Sequence, residues 1–358
     1  MKRFLILVFA ATLTACNNNG YVVTGEIPDA ADSSMVIMIE SLTGMPKDTA
    51  FIKDGKFTFT GDQKEPAMRH LIFNRSILTA IVLENSKITI SKTEIGYEAS
   101  GSALNDTLRI INNKLNMAYK EMDMLEKKYA PNLPAEEKSA IETKYHALND
   151  QIKQMCKDAT ASNISNTIGI YMLFNSYDSF EAEELQGIIN QIPETVIAGN
   201  PNLQRIKISN DAAVKTSIGK AYTDLELSAP DGKTVKLSDL MKNNKVTLID
   251  FWASWCGPCR SEMPNVINAY NQFKDKGFGI VGISLDSNAE AWKTAIGELG
   301  MTWAQMSDLK GWKSLAAETY GVTSIPHTIL IDNSTGAIIA RDLRGNTITE
   351  KLSEIFSK

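Results

Sequence analysis

Two cysteines three residues apart, set where an apolar run gives way to a helix, constrain this chain more than any other feature. Val246-Thr247-Leu248-Ile249-Asp250-Phe251-Trp252 is a continuous run broken by one acid. Such a run suits a central strand covered on both faces. A helix is expected from Cys256, within Trp255-Cys256-Gly257-Pro258-Cys259. At a helix start the backbone N–H groups have no intrahelical partner and the dipole is positive. A thiolate at Cys256 is stabilised there, drawing its pKa below the free value of about 8.5. Cys259 lies a turn deeper on the same face, within disulfide reach if the first turn is tight. Pro258 limits the backbone between them, and Gly257 leaves room for an approaching chain. Trp255 offers a flat apolar surface beside the sulfurs.

The surrounding pattern is that of an α/β domain from about residue 217. Expected elements are a strand at 279–285, a helix at 288–299 and a short helix at 313–320. A strand pair at 328–332 and 337–341, with its turn at 333–336, and a last helix at 347–357 complete it. Asp250 to Cys259 resembles thioredoxin along its whole length. Arg260, Glu262 and Pro264 extend the likeness toward the TlpA/ResA-type envelope thiol–disulfide oxidoreductases. The resemblance covers residues 217–358. It implies a thioredoxin fold and exchange with protein thiols and disulfides. The redox-active pair Cys256–Cys259 serves in place of any cofactor or metal. Cys256 attacks, and Cys259 resolves the mixed disulfide.

Thr323-Ser324-Ile325-Pro326-His327-Thr328 resembles the loop of that fold in which the proline is cis and faces the dithiol. An X–Pro bond is where a cis peptide is cheap. Trp255, Gly257, Pro258, Ile325 and Pro326 are thus the candidate substrate-binding residues, with Ile325 offering backbone groups to a substrate strand. His327 suits loop packing better than contact with a sulfur.

Two acids accompany the pair. Asp250 precedes Cys256 by six residues on an apolar strand, so desolvation should raise its pKa towards the range of a working proton acceptor. By resemblance it is the buried acid that helps deprotonate the resolving Cys259. Glu262 follows Cys256 by six residues and matches the acid near the active site of the TlpA/ResA branch. Both are candidate catalytic residues for Cys259.

The N-terminus specifies an address. Met1-Lys2-Arg3 is basic, and Phe4 to Ala15 is an apolar run of signal-peptide length. It ends in Leu13-Thr14-Ala15-Cys16, which resembles a bacterial lipobox. Residues 1–15 are the expected signal peptide, Cys16 the lipidated first mature residue, and 16–20 a tether. Several acyl chains would anchor the protein stably, each buried methylene adding about 0.8 kcal/mol. The implied location is the cell envelope, lipid-anchored and facing the periplasm. Of four cysteines, Cys156 is then left over, which excludes a disulfide-stapled scaffold.

Residues 21–101 read as short β-branched and aromatic runs separated by tight turns. Tyr21–Gly25, Met35–Ile39, Lys56–Thr60 and Lys87–Ile90 predict a small antiparallel sandwich. Gly25, Asp54-Gly55-Lys56-Phe57 and Gly101-Ser102 resemble a domain of unknown function that precedes thioredoxin domains in Bacteroidota-type envelope lipoproteins. Residues 102–210 read as helical. Leu104, Leu108, Ile111, Leu115, Ala118, Met122, Leu125 and Tyr129 form a seam on one long helix. Ile141, Tyr145, Leu148, Ile152 and Met155 continue it on a second helix, started at Pro134. Cys156 is placed beside the seam as an inert thiol. Packing within the chain is the expected use of the seam, with dimerisation as the alternative.

With 358 residues, net charge −5 and no basic cluster, the chain is a poor nucleic-acid binder. A peroxiredoxin wants Pro and Thr where Ile249 and Ala253 stand. A structural zinc site wants four ligands, and His70, His146 and His327 are scattered. Gly-Pro between the cysteines and Ile325 before Pro326 resemble reducing members. A reductant in an oxidising envelope needs electrons from across the membrane, and the resemblance implies a membrane thiol-electron transporter as donor. Apocytochrome c thiols or misformed envelope disulfides would be its substrates. The alternatives are a disulfide isomerase, if the hairpin dimerises, and a binding or scaffold lipoprotein with a secondary redox site.

Overall fold

The computed structural model describes residues 20–357; the apolar run and Cys16 lie outside them. The chain forms two compact units that divide between residues 179 and 180. The division falls inside the stretch 102–210 that reads as one helical region.

The first unit opens with eight strands. They are β1 (Tyr21–Glu26), β2 (Met35–Glu40), β3 (Pro46–Phe51), β4 (Lys56–Gly61), β5 (Ala67–Phe73), β6 (Ser76–Leu83), β7 (Lys87–Thr93) and β8 (Gly96–Ser100). They make two four-stranded sheets, ordered β4-β1-β7-β8 and β3-β2-β5-β6. Val23, Phe57, Phe59 and Ile88 from one sheet meet Val36, Met38, Leu71 and Ile81 from the other in one core. Phe57 and Phe59 are buried while Lys56 and Thr58 are exposed, as period-two alternation requires. The expected antiparallel sandwich carries one departure: β1 runs parallel to β7. Strands β3, β5, β6 and β8 are additional to the four expected.

Three helices follow: α1 (Ala103–Lys128), α2 (Ala135–Asn163) and α3 (Thr167–Ser176). Their shared core holds Leu108, Leu115, Leu125, Leu148 and Ile152, together with Met68 of β5 and Val82 of β6. The helices thus bury the outer face of that sheet, and the run Ile81-Val82-Leu83 is apolar because both its faces are covered. Buried Asn105 of α1 fixes the join. Its Oδ1 accepts from Val82 N at 3.0 Å and its Nδ2 donates to Val82 O at 2.8 Å. Cys156 belongs to the same core rather than lying beside it, and burial pushes its thiol pKa up. Tyr129 falls outside the seam, exposed one residue past the end of α1.

The second unit begins with α4 (Ala182–Ile189), α5 (Glu194–Ala198) and α6 (Pro201–Lys215). A hairpin of β9 (Glu226–Ser228) and β10 (Thr234–Lys236) comes next, then α7 (Leu237–Met241). The thioredoxin-like α/β core follows as β11 (Val246–Trp252), α8 (Gly257–Phe273), β12 (Phe278–Ser284), α9 (Ala289–Glu298) and β13 (Ala304–Met306). It closes with α10 (Leu315–Tyr320), β14 (His327–Asp332), β15 (Ala337–Arg341) and α11 (Asn346–Phe356). The sheet order is β13-β12-β11-β14-β15, with β11 parallel to β12 and antiparallel to β14. All seven residues of β11 are buried, which is why it reads as one apolar run. The dithiol lies at the C-terminal end of this central strand. No helix among the described residues is long and apolar enough to cross a membrane.

Candidate active site

Strand β11 ends at Trp252, and Ala253-Ser254-Trp255 turns the chain into α8. Asp286, buried just after β12, pins that turn. Its carboxylate accepts from Ser254 N at 2.9 Å, Ser254 Oγ at 2.5 Å and Ser284 Oγ at 2.7 Å. Nothing in the linear pattern marks Asp286, which looks like an ordinary turn aspartate.

Cys256 is the N-cap of α8, and its sulfur accepts the Cys259 N–H at 3.1 Å. The two cysteines are joined by a disulfide, with Cα atoms 5.3 Å apart. Reduction leaves Cys256 Sγ facing the same N–H and the positive end of α8, so the thiolate is favoured. Both cysteines are buried, while Trp255 is 55% exposed. Gly257 has open space where a Cβ would stand. Pro258 occupies the first turn, where its missing N–H leaves no helical bond unmade.

The Ile325–Pro326 bond is cis, and the Ile325 carbonyl oxygen lies 3.7 Å from Cys256 Sγ. The cis-proline loop therefore sits against the dithiol. Arg344 holds it, donating from Nη2 to the Pro326 carbonyl at 2.7 Å; this arginine has no sequence signal. His327 stays away from the sulfurs. Its Nδ1 is 2.7 Å from Asp342 Oδ1, and its Nε2 is 3.0 Å from Arg341 Nη2. An arginine only donates, so Nε2 is the acceptor and the proton sits on Nδ1.

Asp250 lies in β11 between Gly282 of β12 and Thr328 of β14, and it is buried. Its Oδ2 has no hydrogen-bond partner among the described residues. Burial, then the negative charge of Glu262, push its pKa up to about 7. Glu262 is half-buried in α8 and already engaged. Its Oε1 accepts from Gly345 N at 2.6 Å and its Oε2 from Asn265 Nδ2 at 3.3 Å. The two acids therefore differ in kind: Asp250 is a desolvated carboxyl with an unused oxygen, and Glu262 is a tie between α8 and the start of α11.

The Redoxin family model matches residues 209–356, and the Domain of unknown function (DUF4369) matches residues 21–108. Thiol-disulfide oxidoreductase ResA of Bacillus thuringiensis subsp. konkukian is 31% identical over 144 residues, which are 40% of this chain and 79% of that protein. The chain belongs to the ResA-type thiol–disulfide oxidoreductases. Thiol:disulfide interchange protein HelX of Rhodobacter capsulatus is 29% identical over 120 residues, 33% of this chain and 64% of that protein. The thioredoxin domain of a Bacteroides vulgatus thiol-disulfide oxidoreductase is 35% identical, covering 39% of this chain and 98% of that chain, with a TM-score of 0.36. ResA-type oxidoreductases exchange disulfides through a redox cysteine pair, which here is Cys256 and Cys259.

Proposed function

We propose that the chain is an envelope reductant of protein disulfides in which Asp250 takes the proton from Cys259. The observation that carries the proton assignment is the free, buried Oδ2 of Asp250, in a carboxyl whose pKa of about 7 suits an acceptor near neutral pH. In the reduced enzyme, Cys256 thiolate attacks a substrate disulfide, forming a mixed disulfide and releasing one substrate thiolate. Cys259 then passes its proton to Asp250 and attacks Cys256 Sγ. This closes the Cys256–Cys259 disulfide and expels the second substrate thiolate. Two electrons move to the substrate. Glu262 acts on this step through its charge, by keeping Asp250 basic.

The Gly257-Pro258 dipeptide and Ile325 before the cis-proline support the reducing direction. Cys16 supports lipid anchoring and a periplasm-facing location. A membrane thiol-electron transporter would then re-reduce the pair, and apocytochrome c cysteines in their disulfide form or misformed envelope disulfides would be the substrates. Replacing Cys259 with Ser traps substrates on Cys256. Capture of envelope proteins through cysteines, with labelling by radioactive palmitate lost in Cys16→Ser, is the expected result. No captured protein, together with a wild type that cannot reduce insulin with dithiothreitol as donor, would end the reading.

A further inference from the structure

All five tryptophans lie in the second unit, and two of them face solvent together. Trp252, Trp292 and Trp303 are buried, whereas Trp255 is 55% and Trp312 is 48% exposed. The rings of Trp255 and Trp312 have centroids 6.3 Å apart, at an interplanar angle of 57°. Two exposed indoles in contact form an apolar patch of the kind that marks a binding surface.

The loop carrying Trp312 is built to hold it there. Leu309 and Gly311 both adopt left-handed backbone, at φ 55° and 59°. For Leu309 that conformation is strained, since a side chain with a Cβ rarely adopts it. The Asp308 carboxylate secures the loop at both ends, accepting from Lys310 N at 3.2 Å and Leu315 N at 2.8 Å. Ser307 Oγ accepts from Leu309 N at 3.1 Å, and a one-turn 3-10 helix at Gly311–Lys313 presents the indole. Lys310 and Lys313 flank it, exposed and without an ion pair among the described residues.

We propose that Trp312 is a specificity-determining residue. With Trp255 it forms a platform for an apolar or aromatic side chain next to the reacting cysteine of a substrate polypeptide, while Lys310 and Lys313 favour acidic over basic flanks. The occupant follows from continuity with the dithiol. A substrate sulfur must reach Cys256, so the chain on one side of it crosses Trp255 and meets Trp312. The inference deepens the reducing reading above and rests on it.

The test uses the reduced full chain and disulfide-linked dimers of short cysteine peptides. Each turnover converts the Cys256/Cys259 dithiol to its disulfide and one peptide dimer to two thiols, with electrons and protons conserved. The peptides carry Gly or Phe beside the cysteine, and Glu or Lys further out. 2-Hydroxyethyl disulfide serves as a substrate too small to reach Trp312. Single-turnover rates are read by acid quench and alkylation at varied peptide concentration, which gives the single-turnover equivalents of kcat and KM. Wild type should prefer Phe to Gly, and Glu to Lys. Trp312→Ala should lose roughly three- to tenfold in rate on Phe peptides, mainly in KM, with the small disulfide changed less than about twofold. Trp312→Phe should retain most of the preference. Lys310→Glu/Lys313→Glu should invert the charge preference whether or not Trp312→Ala folds. Equal losses on every substrate, or no wild-type preference, would overturn the proposal. No exchange with any disulfide, the small one included, would overturn the reducing reading itself.

Discussion

A carboxyl at Asp250 that titrates near 7 affects both the resolving step and the stability of the fold. For the chemistry, Asp250→Asn removes the acceptor, so the mixed disulfide formed by Cys256 should persist. Resolution should slow by roughly a hundredfold or more, as for loss of a general base. Mass spectrometry of quenched reactions checks this, and an unchanged lifetime removes Asp250 from the mechanism. Glu262→Gln should act differently. Its amide oxygen can still accept from Gly345 N, but the charge that helps raise the Asp250 pKa is gone. The rise in resolution rate with pH should therefore move to lower pH without disappearing. For stability, the folded pKa of about 7 exceeds the ordinary value of 3.8. Between those values the folded state keeps a proton that the unfolded chain has lost, so stability falls as pH rises across that window. Asp250→Asn should abolish the fall and stabilise the oxidised protein above pH 7, with roughly 4 kcal/mol as an upper bound. Urea titrations at pH 5 and pH 8 measure it.

At the scale of elements, the start of β14 is sensitive to acid. His327 follows the cis-proline and packs between Asp342 and Arg341. Burial lowers its pKa, outweighing the Asp342 carboxylate that raises it. A depressed histidine means that the unfolded chain binds the extra proton first. The stability that this histidine contributes is therefore complete above about pH 6.5 and is lost as pH falls below it, opposite in sign to the contribution of Asp250. Tryptophan fluorescence separates this effect from His70, because all five tryptophans lie in the second unit and His70 in the first, and an Asp250→Asn background removes the opposing slope. His327→Gln should flatten the acid slope between pH 6.5 and 5; an identical slope would show that the acid sensitivity lies elsewhere. Legibility in the sequence divides at this scale too. β11 was readable because burial on both faces makes its residues apolar, and α8 because Cys256-Gly257-Pro258-Cys259 marks its start. β3 was not, since only Ala50 of its six residues is buried and no alternation survives. β13 has three residues, too few to show a period. The dithiol and the cis-proline announce themselves locally. Asp286, Arg344 and Trp312 act through partners 18 to 57 residues away, visible only once the chain has closed on itself.

At the scale of the molecule, helices α4–α6 belong to the same compact unit as the redox core, although the family likeness begins only at residue 209. Their attachment is specific. A Cβ on Gly321 would stand 2.6 Å from Ala213 N and Ser209 O, so the turn after α10 is pressed directly on α6. Arg341 completes the join. Its Nη1 donates to Thr216 O at 2.5 Å and to Thr216 Oγ1 at 3.0 Å, while Nη2 reaches the Tyr320 carbonyl and His327. A fragment cut at residue 217 keeps every residue of the site but removes the acceptors of Nη1. It takes two hydrogen bonds from the half-buried Arg341 guanidinium, next to the histidine that follows the cis-proline. Hydrogen bonds exchanged for water in this way are worth about 0.5–1.5 kcal/mol each, before any loss of apolar contact with α6. Residues 180–358 should therefore unfold as one cooperative unit, and residues 217–358 should be less stable by at least that amount. The shorter fragment should also reduce insulin more slowly, because Arg341, His327 and Arg344 together position the loop at Ile325 and Pro326. Urea denaturation followed by tryptophan fluorescence compares the two fragments directly. Equal midpoints and equal rates would show that α4–α6 are carried by this unit without supporting its site.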